Sequence, residues 1–190
     1  MRRRLCPSPR LPHDRIDRLS APTLYTPRLV LRGHRPGDHA DCAALWGDAV
    51  VTQFIGGKPQ SAQDAWFRIL RYAGSWDLLG FGFWAICDRE TGAFVGEGGF
   101  SDFRRGIAAL EGVPEIGWAL MPAAWGGGIA TEAIGAMVGW ADENLTASET
   151  RCLIANGNAA SVKVATRNGY DACCDLPDEA RVFRRSKRLF

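Results

Sequence analysis

From Leu24 onward, apolar residues fall into short blocks whose spacing switches between the strand period of two and the helical rhythm of i, i+3, i+4. "LYTPRLVLRG" reads as a strand centred on Leu29, Val30 and Leu31, and "GDHADCAALWG" sets Ala40, Ala43 and Ala44 at helical spacing. Ser61 with Asp64 forms a capping-box-like helix start, followed by Trp66, Ile69, Leu70 and Ala73 on one face. "FGFWAICD" and "AFVGEGGFSDF" are β-rich and joined by Arg89-Glu90-Thr91-Gly92, a turn whose glycine can supply a left-handed position, so they should pair antiparallel. After a polar loop from Arg104 to Gly112, "PEIGWALMP" reads as a third meander strand. Ala130, Ala133, Ile134, Met137, Val138 and Ala141 then keep an amphipathic helical rhythm that ends near Asn144. "RCLIAN" gives a short strand, and "NAASVKVATRNG" a short helix with Asn158 as N-cap and Gly169 as its stop. Two strands follow, near Tyr170 and around Arg181 to Arg185. The predicted order is β-α-α-β-β-β-α-β-α-β-β, an α+β chain with α/β mixing.

Residues 1–22 break this rhythm: four prolines and many arginines without an apolar period predict a disordered extension, leaving 23–190 as a single domain. A composition of 46% hydrophobic and 23% charged residues suits one full core. The net charge of +2 argues against a nucleic-acid binder, even though Arg2, Arg3 and Arg4 open the chain and Arg181, Arg184, Arg185, Lys187 and Arg188 close it. Those ends read as solvated termini or a charge-guarded edge strand. Cys6, Cys42, Cys87, Cys152, Cys173 and Cys174 show no CxxC and no histidine at metal spacing, so no metal site is expected and reduced thiols in a cytoplasm fit best. The Cys173-Cys174 pair reads as packed or incidental. No run of about 18 apolar residues suggests a membrane span, and the basic N-terminus lacks the apolar middle of a secretory signal. A cytoplasmic protein, monomer or homodimer, is the expectation.

Chemistry concentrates where the third meander strand meets the next helix, in "AAWGGGIATEA". Three consecutive glycines lose much conformational freedom on folding and pack nothing, so a close visitor is the reason to keep them. Bare backbone lets a ligand approach, and the first helical N–H groups face it with the positive end of the helix dipole behind them, which makes a phosphate cradle. Other glycine-loop chemistries do not match. A Walker loop needs Gly-Lys-Ser/Thr where Gly128 is followed by Ile129 and Ala130, and a dinucleotide fingerprint needs a small residue where Thr131 stands.

Three segments carry a resemblance that spans residues 24 to 186: "TPRLVLR", "PEIGWALMPAAWGGGIATEA" and "NAASVKVATRNGY". Together with the element order they resemble the GNAT acetyltransferases, and among them the ribosomal-protein N-terminal acetyltransferase (RimJ/RimL-like) branch. The resemblance implies a central, mixed but mostly antiparallel twisted sheet flanked by helices. It implies acetyl-CoA as acetyl donor, with the backbone N–H groups of Gly126, Gly127, Gly128, Ile129, Ala130 and Thr131 on the pyrophosphate. Trp125 takes the first position of the family's Q/R-x-x-G-x-G/A loop, and Trp118, Ala119, Leu120, Met121 and Asn158 are implied to contact the pantetheine arm.

Acetyl transfer to an amine needs a neutral amine, a stabilised oxyanion and a proton for the departing thiolate. Glu115 is the first candidate base and Glu97 the reserve. Ser161, from the N-x-x-S pattern, is the candidate acid, because Ala165 stands where many family members carry a tyrosine. A backbone N–H near Leu120 is the expected oxyanion donor. Trp66, Trp76, Trp84 and Trp118 are expected in the core rather than in an acceptor pocket. The function expected is direct acetyl transfer to a primary amine, either a protein N-terminus or a small molecule, without metal. The alternative from a different class is a non-catalytic acyl-CoA-binding or RNA-associated module held by its basic ends.

Overall fold

A computed structural model describes residues 20–177 and 180–188, so Arg2 to Arg4, Cys6 and nearly all of the expected disordered extension lie outside the described residues. The chain enters through a tight hairpin, β1 (Leu24–Tyr25) and β2 (Leu29–Arg32), where a single strand was expected. Pro27 is the reason: it has no N–H for a ladder and restricts the residue before it, so the chain turns at Thr26-Pro27. Thr26 closes the turn, its N–H donating to the Leu29 carbonyl (3.0 Å) and its hydroxyl accepting from the Leu29 N–H (2.9 Å).

The expected first helix is two: α1 (His39–Gly47) and the single turn α2 (Ala49–Thr52). Asp48 separates them in an extended conformation, its carboxylate accepting from the N–H groups of Val50 (2.7 Å) and Val51 (3.3 Å). The core face of α1 is Cys42, Leu45 and Trp46 rather than the alanines, since Ala40 and Ala44 are exposed. The long helix α3 (Ala62–Leu79) starts at the expected Ser61/Asp64 capping box, but it buries Ala65, Ile69, Tyr72 and Trp76 while Leu70 and Ala73 face outward. Tyr72 and Trp76 win the inward positions because their large rings find polar partners there: the Tyr72 hydroxyl donates to Glu97 (2.6 Å) and Trp76 Nε1 to the Phe83 carbonyl (3.1 Å).

The meander is as expected: β3 (Phe83–Asp88), β4 (Phe94–Ser101) and β5 (Glu115–Leu120), with Gly92 left-handed in the β3–β4 turn. Helix α4 (Ile129–Asn144), β6 (Glu149–Ala155), α5 (Ala159–Arg167), β7 (Asp171–Leu176) and β8 (Ala180–Ser186) complete the chain. The strands form one sheet in the order β1-β2-β3-β4-β5-β6-β8-β7, antiparallel at every junction except β5–β6. This is the mixed, mostly antiparallel sheet with flanking helices that the resemblance implied.

Helices cover both faces of the sheet. Ala133, Ile134, Met137 and Ala141 of α4 and Ala165 of α5 pack on Leu29, Leu31, Trp84, Ile86, Phe100 and Ile116. On the other face Leu45, Trp46 and Val51 pack against Ala119. A buried ion pair ties α4 to β8: Arg185 donates from Nη1 and Nη2 to the two oxygens of Asp142 (2.7 and 2.6 Å). Arg185 therefore belongs to the interior rather than to a solvated basic end, and β8 lies between β6 and β7 rather than at the sheet edge.

The feature that positions a site is the parallel junction. β5 and β6 share one register pair, Glu115 with Arg151, and then part, so the second half of β5 borders a gap.

Candidate active site

The gap opens into a cavity of about 330 Å³. One wall is β5, with Trp118, Ala119 and Leu120; the next is the loop and first turn of α4, with Trp125, Gly126, Gly128, Ile129, Ala130 and Thr131; the third is α5, with Asn158, Ser161, Lys163, Val164 and Arg167. The roof is α2 and the segment after it, with Val50, Val51, Gln53, Phe54 and Ile55. Of the twelve residues expected to contact the coenzyme, Met121 and Gly127 do not line the cavity. Met121 packs beside Leu45 and Trp46, its N–H donating to the Val95 carbonyl (2.9 Å), and the Gly127 carbonyl accepts from Arg28 Nη1 (2.8 Å).

Gly128 is the N-cap of α4 and sits at φ 77°, where an L side chain is strained. With no side chain capping it, the first N–H groups of α4 keep their hydrogen-bonding capacity at the cavity wall. Trp125 folds back over the end of β5, its Nε1 donating to the Leu120 carbonyl (2.9 Å).

A latch holds this loop. Glu132, in the first turn of α4, accepts from the Thr26 hydroxyl (2.6 Å) and the Arg28 N–H (2.9 Å) at Oε1, and from Arg28 Nε (2.6 Å) at Oε2. Burial alone would push the Glu132 carboxyl up, but the hydrogen bonds from Thr26 and Arg28 outweigh it and hold the group below its usual range. The β1–β2 turn, the helix start and the glycine loop are thereby one unit.

This construction is matched by known proteins. The model of an acetyltransferase (GNAT) domain matches residues 28–171. The chain belongs to the GNAT acetyltransferase family. It is 27% identical over 150 residues to the uncharacterized N-acetyltransferase YoaA of Bacillus subtilis (strain 168), covering 78% of this chain and 82% of that one. Among solved structures, a GnaT-family acetyltransferase from Bordetella pertussis superposes with a TM-score of 0.75 at 28% identity, over 87% of this chain and 99% of that one. An acetyltransferase from Agrobacterium tumefaciens str. C58 gives 0.76 at 28% identity, over 87% and 94%. This GNAT domain is an acetyltransferase, and acetyl-CoA is its acetyl donor.

The candidate reacting groups of the GNAT domain are distributed unevenly about the cavity. Ser161 lines it; its N–H donates to Asn158 Oδ1 (3.1 Å), so Asn158 caps α5 and leaves the serine hydroxyl out of the cap. Ala165 is fully buried in the core and is not among the residues that line the cavity.

Glu115 lies outside the cavity, in a small recess with Arg105, which is ion-paired to it. Burial pushes the Glu115 carboxyl up, and Arg105 only partly opposes this. Glu97 pairs with Ala119 across the β4–β5 ladder, directly behind the cavity wall, but it is fully buried and its oxygens are taken. Tyr72 and Trp46 Nε1 (3.0 Å) donate to Oε1, while the Cys42 thiol (3.7 Å) and His34 Nε2 (3.3 Å) meet Oε2. Burial would raise the Glu97 carboxyl, yet the bonds to His34 and Tyr72 and the charge of Arg68 hold it down. His34, Cys42 and Glu97 offer ligand atoms within 4.8 Å of one another, a convergence that their separation in the chain concealed. Within this cluster Glu97 Oε2 meets both other members, and His34 Nδ1 is buried without a hydrogen-bond partner.

Two charged residues of the cavity wall escaped the sequence reading. Lys163 and Arg167 stand four apart on α5 and line the cavity beside Ala160 and Val164, a stripe at i, i+3, i+4, i+7 that could have been read from the helix period. Trp76 and Trp84 are core as expected, whereas Trp118 lines the cavity. Cys173 and Cys174 are exposed on β7 rather than packed.

Proposed function

We propose that this enzyme transfers acetyl from acetyl-CoA directly to a primary amine, within a ternary complex assembled at the β5–β6 gap. The observation that carries the proposal is the uncapped α4 N-terminus, with its glycine backbone, opening into the cavity between the parting strands. In this reading the N–H groups from Gly126 to Thr131 hold the pyrophosphate, and Lys163 and Arg167 supply positive charge for the remaining phosphate. The pantetheine arm follows Trp118, Ala119 and Leu120 and passes Asn158, and a β5 backbone N–H near Leu120 receives the developing oxyanion. A phosphinothricin acetyltransferase of the same fold from Sinorhizobium meliloti was solved in complex with acetyl-CoA.

Ser161 is the proposed proton donor to the departing thiolate. Glu115 is the proposed base; it lies four residues before Ala119 on β5, about 13 Å at about 3.3 Å per residue, so the amine proton reaches it through a chain of several waters. The acceptor enters from the side of α2, where Val50 and Phe54 are exposed at the cavity rim. The test is incubation with acetyl-CoA and a panel of free amines, followed by mass spectrometry of the acceptors. Acetylated amine is expected; hydrolysis of acetyl-CoA without any acetylated amine would contradict the proposal.

A further inference from the structure

We propose that His34, Cys42 and Glu97 form a buried zinc site that fastens α1 and the segment after β2 to the centre of the sheet. The three come from the segment between β2 and α1, from α1 and from β4, and they offer donor atoms within 4.8 Å of one another. The site stands apart from the proposed transfer chemistry, since none of the three lines the cavity at the β5–β6 gap.

The contacts to Glu97 divide into two kinds. At Oε1 the Tyr72 hydroxyl (2.6 Å) and Trp46 Nε1 (3.0 Å) donate at ordinary hydrogen-bond lengths. At Oε2, His34 Nε2 (3.3 Å) and Cys42 Sγ (3.7 Å) stand farther off. Metal bonds of about 2.0–2.3 Å at a tetrahedral angle set neighbouring donors about 3.3–3.6 Å apart, so the Oε2 side is spaced like ligands around an ion. Tyr72 and Trp46 then orient the ligating carboxylate through its other oxygen.

Burial and charge point the same way. The side chains of His34 and Glu97 are 1% and 0% exposed, and Cys42 is fully buried. An ionised carboxylate in such a place needs a counter-charge, yet among the described residues no arginine or lysine lies within ion-pair distance of Glu97. The His34 ring faces it, tilted against Tyr72 (5.0 Å between centroids), with Nδ1 buried and unpartnered. Hydrogen bonds thus leave a buried imidazole partly unsatisfied, whereas a bond from Nε2 to a cation offsets its burial. A thiolate, a carboxylate and a neutral imidazole around Zn²⁺ sum to zero charge, which a dry interior favours. On binding, the Cys42 thiol proton passes to solvent and the ring keeps its proton on Nδ1, leaving the Nε2 lone pair for the metal. The donor set of nitrogen, sulfur and oxygen suits zinc, with three protein ligands and one position for water. Because Glu97 pairs with Ala119, which lines the transfer cavity, the ion braces that wall from behind.

The experiment uses the full-length chain with Cys173→Ser and Cys174→Ser, so that these exposed thiols bind no metal. A buried site loads as the chain folds, so the protein is refolded from denaturant with zinc or cobalt(II) and then dialysed. About one equivalent of retained zinc is expected, with a melting temperature about 5 °C or more above that of protein refolded with a chelator. The cobalt form is expected to show a thiolate-to-metal charge-transfer band and intense tetrahedral visible bands. Cys42→Ser and His34→Gln in the same background, each checked for folding by circular dichroism, are expected to lose the bands and the melting shift. X-ray absorption at the zinc edge decides without either variant: one sulfur at about 2.3 Å beside nitrogen and oxygen at about 2.0–2.1 Å is expected. Folded protein that retains no metal, bands that survive Cys42→Ser, or a zinc shell with no sulfur or with several overturns the proposal.

Discussion

At the scale of single residues, environment sorts the candidate acid and bases. Glu115 is held above its ordinary value by burial against the pull of Arg105, so it is available as a base only above that raised pKa. Its deprotonation should therefore set the acid limb of kcat/KM. Glu115→Gln is expected to lower the plateau about 100-fold and remove that limb; an unchanged pH profile would reject the assignment. For Ser161 the capping bond runs through its backbone N–H, so Ser161→Ala leaves α5 started by Asn158. That variant is expected to lose kcat about 100-fold while acetyl-CoA affinity holds, measured by single-turnover transfer and calorimetry. Glu97, read from the sequence as a spare base, is instead a saturated interior carboxylate. A carboxylate in a strand looks the same in sequence whichever groups the fold brings to it, and Tyr72, Trp46, Cys42 and His34 come from three other segments.

At the scale of elements, most boundaries were legible because they rest on local chemistry. The Ser61/Asp64 box starts α3, Asn158 caps α5, and Gly92 and Gly169 occupy left-handed positions. Legibility failed where tertiary packing chose among faces. The buried stripe of α3 is offset from the expected one because Tyr72 and Trp76 outcompete Leu70 for the interior, and α1 buries Cys42, Leu45 and Trp46 in place of alanines. The latch between β1–β2 and α4 was likewise invisible: Thr26, Arg28 and Glu132 stand in two of the recognised motifs, yet only the fold joins them. Arg28→Ala is expected to weaken acetyl-CoA binding about tenfold, with a melting temperature close to wild type because Arg28 is half-exposed. Amide exchange in Gly127 to Ala130 should rise together with that loss. Unchanged affinity and unchanged exchange would show that the latch does not position the loop.

For the whole molecule, the decisive event is the parting of β5 from β6 after one shared pair, which converts a continuous sheet into a sheet with a site. The motif order predicted that a strand delivers the chain to the glycine loop; the width of the opening depends on long-range pairing of β6 with β8 and on the helices packed over both faces. The Asp142–Arg185 pair fastens this second half of the sheet to α4. Burial opposes the ionised Asp142, but Arg185 more than compensates and keeps its carboxyl below the ordinary value. The pair's stabilisation is therefore fully present above the unfolded-state pKa of about 3.9 and is lost as pH falls through the lower folded-state value. Asp142→Asn leaves Arg185 buried without a counter-charge and should cost about 3 kcal/mol at neutral pH, read by chemical denaturation. A stability equal to wild type would show the pair to be dispensable.

The central claim is that glycine backbone at the start of α4 receives the coenzyme pyrophosphate. The most direct test is calorimetric titration of acetyl-CoA into wild type, Gly128→Ala and Gly128→Glu. Both substitutions impose the same left-handed strain, about 1 kcal/mol or more, and start a side chain 3.6 Å from Arg28 Nη2, but only the glutamate adds a negative charge to the loop proposed to hold the pyrophosphate. Micromolar binding by wild type, retained in large part by the alanine variant and abolished in a folded glutamate variant, is the predicted result. Equal affinity for acetyl-CoA in all three proteins would contradict it.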